Sequence, residues 1–391
     1  MRPSHRKLGT LGSISAIVLC LVVEAAGKSS AEDDAWYAEP QVYGSRPRVD
    51  RDREFGSIGV SGIEASIKKG VVVTVDSVVP GSPADGLCRA GDVLLGVNGV
   101  SLKGRNPFVA LGQALTKAES TDGVLAFDLK DKQRKTRKAE VKIPVLGAYS
   151  ETFPLNCRKS DRIVSEAAAY YASQLSGTAK DPVEIGGLEK SLVGLFLLST
   201  GDDQYLPLVR RIFDAALKGP IPPKDGSGTW HLGYRGVLCG EYYLRTGDRS
   251  VLPLLQGYCT AAKLGQRYDC GWAHKIYDTP TVYWLLNAAG SQMLTTMLFG
   301  KECGVEVDED TLRKTLRQWY RFAGHGSMPY GDHRPGGHIG SNGKDGMLAA
   351  AMRIASHAEG DVSRFEMANK WLTVTTAYQY PGLITGHGDN G

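Results

Sequence analysis

Cysteine is sparse in this chain, seven in 391 residues, and no CxxC pair occurs among them. That spacing supports neither a zinc ribbon nor a dense disulfide framework. No HExxH segment is present, so the helix-borne zinc-protease pattern is missing. No Gly-Asp-Ser-Gly segment is present either, which removes a chymotrypsin-like serine protease. Charge of one sign is scarce too. The formal net charge is +4, and residues 1–31 hold four bases (Arg2, Arg6, Lys7, Lys28) against one acid, Glu24, so only one positive charge is left beyond them. A chain that close to neutral gives no argument for nucleic acid as a partner. Long apolar runs are absent apart from LGTLGSISAIVLCLVV at 8–23, which falls short of the roughly 20 residues of a membrane span.

What is there begins with a basic start, MRPSHRK, then that apolar run, then small residues, EAAGKSSA. This is the layout of a secretory signal peptide over residues 1–31 and predicts export to the periplasm or beyond. Ile17, Val18 and Leu19 precede Cys20 where a lipoprotein signal needs small residues, so no lipid anchor is expected. A membrane partner is expected only if the segment is retained as an anchor. Six cysteines remain: Cys88, Cys157, Cys239, Cys259, Cys270 and Cys303. Export permits bridges among them, and buried thiols are the alternative. Residues 32–53 are polar and aperiodic and read as a linker.

From 54 to 147 the pattern is β-rich. VVVTVDSVV, VLLGVNGV and VLAFDL are strand-like runs bounded by Gly, Pro or Asn. One helix interrupts them, with Asn106 as cap, Pro107 in the first turn and FVALGQALTKAE behind it. The basic run KDKQRKTRK at 130–138 lies between two strand-like stretches and reads as a solvated hairpin tip. From about 160 the period becomes helical, and a repeat appears. LSTGDDQYLPL begins at Leu198 and LRTGDRSVLPL at Leu244, 46 residues later. Gly201 and Gly247 suit a left-handed helix end, Asp202 and Asp248 suit the next cap, and Pro207 and Pro253 fit a first turn. A weaker copy, AEGD, stands at 358–361. Stacked helical hairpins follow from such a period.

The stretch GSPADGLCRAGDVLLGVNG at 81–99 resembles a PDZ domain of the bacterial exported type, over roughly residues 54–147. The resemblance implies a short helix from Pro83 and Ala84, and a carboxylate-binding loop at Ser57-Ile58-Gly59-Val60. Its first position here is Ser57 rather than glycine. It also implies a groove that takes a peptide or protein C-terminus on the sheet edge, contacted by Ile58, Gly59, Val60, Phe108 and Leu111.

The region 160–391 is similar to an α/α-toroid, a ring of helical hairpins, here incomplete at four to five hairpins. The similarity rests on the hairpins and on Gly-aromatic loops: GSGTWHLGY at 226–234, YDCGWAHKIYDTP at 268–280 and GHGSMPYGDHRPGGHIGSNGKDG at 324–346. The order of the two modules is similar to a family of exported bacterial proteins. The terpene-cyclase acidic segment DxDD and the leading Gln of that family's aromatic repeat are missing, which removes terpene chemistry. His231, His274, His325, His333 and His338 fall in these loops. If the loops meet at one mouth, they converge with Tyr234, Tyr277, Asp278, Asp332 and Arg334. Two functions follow. The first is an exported, non-protease binding protein whose helical domain adds a second interaction surface. The second is an enzyme, a lyase or hydrolase acting on envelope or extracellular polysaccharide. Its acid–base groups would be His274, His325 and His333, with Trp230, Trp272 and Tyr234 as sugar platforms. No cofactor is expected. Asp269, Cys270 and His274 are zinc-compatible types without a matching spacing. Ser341-Asn342-Gly343-Lys344 fits SxxK but lacks an accompanying KTG.

Overall fold

In the computed structural model, residues 53–68, 71–180, 182–221, 228–276, 285–325, 328–329, 331, 342–358 and 362–378 are described. The expected signal segment, the expected linker up to residue 52 and the AEGD copy beyond Ala358 lie outside them. The chain forms two compact units that divide between Ser160 and Asp161. Among the described residues no helix is long and apolar enough to cross a membrane.

Among the described residues the first unit holds an antiparallel sheet and the α-helix packed on it. Its strands are β1 (Arg53–Ser57), β2 (Ile63–Lys68), β3 (Val72–Val78), β4 (Val93–Val97), β5 (Val100–Ser101), β6 (Val124–Lys130) and β7 (Thr136–Lys142). The order is β1-β2-β3-β4-β6-β7, with β5 paired to β4. Alternation sets the faces: Leu125, Phe127 and Leu129 of β6 and Ala139 and Val141 of β7 point inward. Helix α1 (Pro107–Ser120) closes this core with Leu111, Ala114 and Ala118, and Asn106 caps it by accepting from Phe108 N at 3.0 Å. Between β4 and β5, Asn98 (φ 49°) and Gly99 (φ 77°) make the tight turn that the Asn-Gly pair suggests.

Two expectations change here. Pro83 and Ala84 open a run of turns rather than a helix, because Gly86 takes φ 75° and ends any helical course. The basic run does form a hairpin between β6 and β7, but Arg137 is not a solvated residue of it. Its guanidinium reaches back to the Leu87 carbonyl at 2.7 Å and pairs with Asp92, which is 3% exposed. That pair pins the 81–92 turn to the sheet.

The second unit is helical. Among the described residues ten helices run from α2 (Arg158–Ser176), which spans the division between the units, through α3 (Gly187–Ser199), α4 (Leu206–Ile212), α5 (Asp214–Leu217) and α6 (Thr229–Thr246). The rest are α7 (Leu252–Gly265), α8 (Asn287–Glu302), α9 (Glu309–His325), α10 (Asn342–Ala358) and α11 (Val362–Tyr378). Alternate helices are neighbours: α3 packs on α6, α6 on α8 and α8 on α10. The intervening helices return along them, α4 beside α3, α7 beside α6 and α11 beside α10. The repeat is built as its residues imply. Gly201 (φ 73°) and Gly247 (φ 69°) are left-handed. Asp202 accepts from Gln204 N at 3.0 Å and Asp248 from Ser250 N at 2.9 Å. Each proline sits in the first turn of its returning helix. The two copies are also tied to each other, through Arg210 to Asp248 at 3.1 Å and Arg245 to Asp203 at 2.7 Å.

Helix α8 is the centre. From Asn287 to Gly300 every residue is buried. The approach of α6 to α8 depends on Gly233, Gly236 and Gly240, which share one face. A Cβ on Gly240 would lie 2.6 Å from Phe299 Cγ, and one on Gly236 would collide with Thr296, 2.8 Å from its Cβ.

All six cysteines beyond residue 31 are free thiols, and only Cys270 is not buried. Burial pushes the Cys259 and Cys303 thiols up to about 12, holding both as the neutral S–H.

Candidate functional site

The loop after β1 is a built structure. Ile58 N donates to Ile63 O at 2.8 Å, and the buried Ser61 hydroxyl donates to Ile58 O at 2.6 Å. Ala84 N of the following turn donates to Ser61 O at 3.0 Å, and Val79 N to Gly62 O at 2.8 Å. Gly59 and Val60 open a short 3-10 turn, so their N–H groups have no acceptor within it. Gly59 takes φ 53°, and a Cβ there would meet Leu115 Cδ2 at 2.5 Å, so α1 stands directly against the loop. Val60 is 41% and Phe108 46% exposed, while Ile58 is buried beneath the loop.

Leu111, expected to contact a peptide, is not open to one. It is 4% exposed and packs in the core with Ala114 and Ala118. The 3.6-residue period puts Phe108, Gly112 and Leu115 on the outer stripe instead. Beside Gly112 there is open space: no atom lies within 4 Å of where its Cβ would be.

In the helical unit, several of the Gly-aromatic segments do meet at one end. Thr229, at the start of α6, donates through N to His274 O at 2.7 Å and through Oγ1 to Ala273 O at 2.5 Å. Leu286 N donates to Trp272 O at 2.8 Å, and Leu286 bridges to Gly331. Asn287 Nδ2 donates to Pro329 O at 3.0 Å, and Met328 N donates to Asp345 Oδ1 at 2.6 Å. The first turns of α6, α8 and α10 are therefore laced together by two short extended segments.

The side chains follow a different plan from the one expected. Trp272 is fully buried, its indole N–H held by Ala262 O at 2.8 Å and its ring edge-on to Trp319. It has no free face for a sugar and serves as a packing residue. Tyr234 is 7% exposed and lies under Trp230, their rings 6.4 Å apart and nearly parallel. Only Trp230 of the three aromatics keeps an open side. His274 is exposed. His231 is half-buried, and its Nδ1 is enclosed with no hydrogen-bond partner among the described residues. His325 ends α9, with its side chain outside the described residues. Tyr277, Asp278, Asp332, His333, Arg334 and His338 also lie outside them. Among the described residues no group of three or more His, Cys, Asp or Glu is placed to hold a metal.

Sequence reasoning missed the polar residues buried where the segments meet. Asp345 is 0% and Lys344 1% exposed, in the first turn of α10, and Asn287 is 0% exposed at the start of α8. Asp345 Oδ2 and Asn287 Oδ1 are enclosed without partners among the described residues. Burial pushes the Asp345 carboxyl up to about 7, against the smaller opposing pull of the Met328 N–H and the Lys344 charge. A carboxyl poised there can give or take a proton near neutrality. The signal was present in the sequence, as a lone Asn in LLNAAG and a Lys-Asp pair ahead of GMLAAAM, but nothing local marks either as buried.

Residues 160–391, the whole of this helical unit, match the family of a domain of unknown function, DUF6288. The chain belongs to the DUF6288 family. The matched DUF6288 region contains Asp345, Asn287 and every histidine named above, and the sheet unit lies outside it. No curated protein and no solved structure matches the chain.

Proposed function

We propose that the protein is an exported, non-protease binding protein with two modules. The sheet unit is a PDZ-like domain that takes a peptide or protein C-terminus. The DUF6288 unit is an incomplete α/α-toroid-like stack of hairpins that offers a second interaction surface. The observation that carries this reading is the loop at Gly59 and Val60, with two amides open to an anion, a rigid support beneath it and the outer stripe of α1 beside it. A carboxylate held on those amides would leave its peptide running beside Phe108 and the open space at Gly112. The test uses fluorescein-labelled peptides with apolar C-terminal residues, each as the free acid and as the amide. Saturable binding is expected for the free acids, lost on amidation and lost in Gly112→Trp, which fills the groove. Binding that ignores both changes would end the reading.

A second reading is favoured by Asp345. A buried carboxyl near neutral pKa where three helix starts meet suits acid–base cleavage of a polysaccharide, with Trp230 as sugar face and His274, His325 and His333 as further groups. It requires loss of polysaccharide cleavage in Asp345→Asn with helical content retained.

A further inference from the structure

A separate cavity of about 360 Å³ lies inside the helical unit, between the start of α3, the α4–α5 stretch, α6 and α7. Its volume is at the low end of small-molecule sites, about 300–1,000 Å³. Its walls are mainly apolar, with Phe213 and Leu254 among them, and Lys190, Ser191, Arg235 and Tyr258 bring polar groups to it.

Arg235 is half-buried, and among the described residues no carboxylate or carbonyl pairs with it. Its guanidinium lies over the beginning of α3: a Cβ on Gly187 would stand 3.1 Å from Nη2. The cap residue there, Gly186, supplies no side-chain acceptor to the first amides, and the first bonded N–H is that of Lys190, to Gly186 O at 2.9 Å. Glu189 turns back beside Gly186 and does not line the cavity. A half-buried cation without a partner among the described residues and a second cation at the rim of an apolar hollow make a place for negative charge attached to hydrocarbon.

We infer that this cavity binds an amphipathic anion. A carboxylate or phosphate headgroup sits on Arg235 at the start of α3, with Lys190 adding charge at the rim, and the hydrocarbon part lies against Phe213 and Leu254. The inference stands apart from peptide binding, since every lining residue belongs to the helical unit.

The test is calorimetric titration of the full chain with octanoate, octyl phosphate and the uncharged octan-1-ol. One equivalent of at least one anion is expected to bind, with octan-1-ol at least about tenfold weaker. Binding by octanoate alone assigns a carboxylate headgroup, and binding by octyl phosphate alone assigns a phosphate. Arg235→Gln should weaken the anion about tenfold or more while leaving the melting temperature of the free protein unchanged or higher, because no internal partner is lost. Ala216→Trp, which fills the hollow, should abolish binding. No saturable binding of either anion, octan-1-ol binding as tightly as the anions, or unchanged affinity in Arg235→Gln would overturn the inference.

Discussion

Replacing Asp345 with Asn should remove one pH-dependent contribution to the stability of the fold. In the unfolded chain the carboxyl titrates near its ordinary 3.8, and in the fold burial raises it to about 7. Between those values the folded chain keeps a proton that the unfolded chain has released, so stability falls as pH rises through that window. The favourable contribution is complete below about pH 4 and lost above about pH 7. At about 1.4 kcal/mol per pH unit, the whole swing is about 4 kcal/mol, of which about 3 kcal/mol falls between pH 5 and pH 8. Asn keeps an oxygen to accept from Met328 N and never takes a charge. Urea unfolding of both proteins, followed by tryptophan fluorescence, measures this. Five of the six tryptophans, Trp230, Trp272, Trp284, Trp319 and Trp371, belong to the helical unit, and the sixth is Trp36, so the signal comes mostly from α10's own unit. The other carboxylates titrate alike in both proteins and cancel in the difference. The stability difference should move toward the Asn variant by about 3 kcal/mol from pH 5 to pH 8. Parallel pH profiles would show that Asp345 is charged in the fold, and the acid–base reading would fall with the reasoning.

Three further outcomes are expected. Gly236→Ala drives a methyl into the stiff, β-branched Thr296 at the α6–α8 contact and should cost about 2 kcal/mol, read by the same urea assay. In the chain starting at residue 32, a thiol reagent should label Cys270 quickly and the other five cysteines only after unfolding; a Cys270→Ser protein that still labels quickly would contradict the burial of the others. Arg137→Met leaves Asp92 enclosed without its cation and should cost about 3 kcal/mol in the sheet unit, measured by circular dichroism melting.

What could be read from the chain was local. A helix end needs a residue that tolerates positive φ, an acceptor for the next free amides and a proline where no N–H is required, so Gly201-Asp202 and Gly247-Asp248 announced themselves. The same holds for the Asn98-Gly99 turn and for Asn106 before Pro107. Errors came where the outcome depended on residues far away in sequence. Leu111 and Phe108 are both apolar members of one helix, and only the position of the sheet decides which of them is covered. Arg137 looks like its basic neighbours until Asp92, 45 residues earlier, is brought beside it.

The candidate sites divide in the same way. Residue order alone determined the two-part organisation, the hairpin repeat and a glycine-bearing loop ahead of a helix with an apolar outer stripe, because each follows from backbone conformations that one or two residue types favour. Tertiary structure alone decided that Trp272 is core and not a sugar platform, that Asp345 is held near neutrality, and that Arg235 lines a hollow with no partner among the described residues. Those properties are set by burial and by the absence of neighbours, and desolvation depends on everything packed around a group rather than on the residues beside it in the chain.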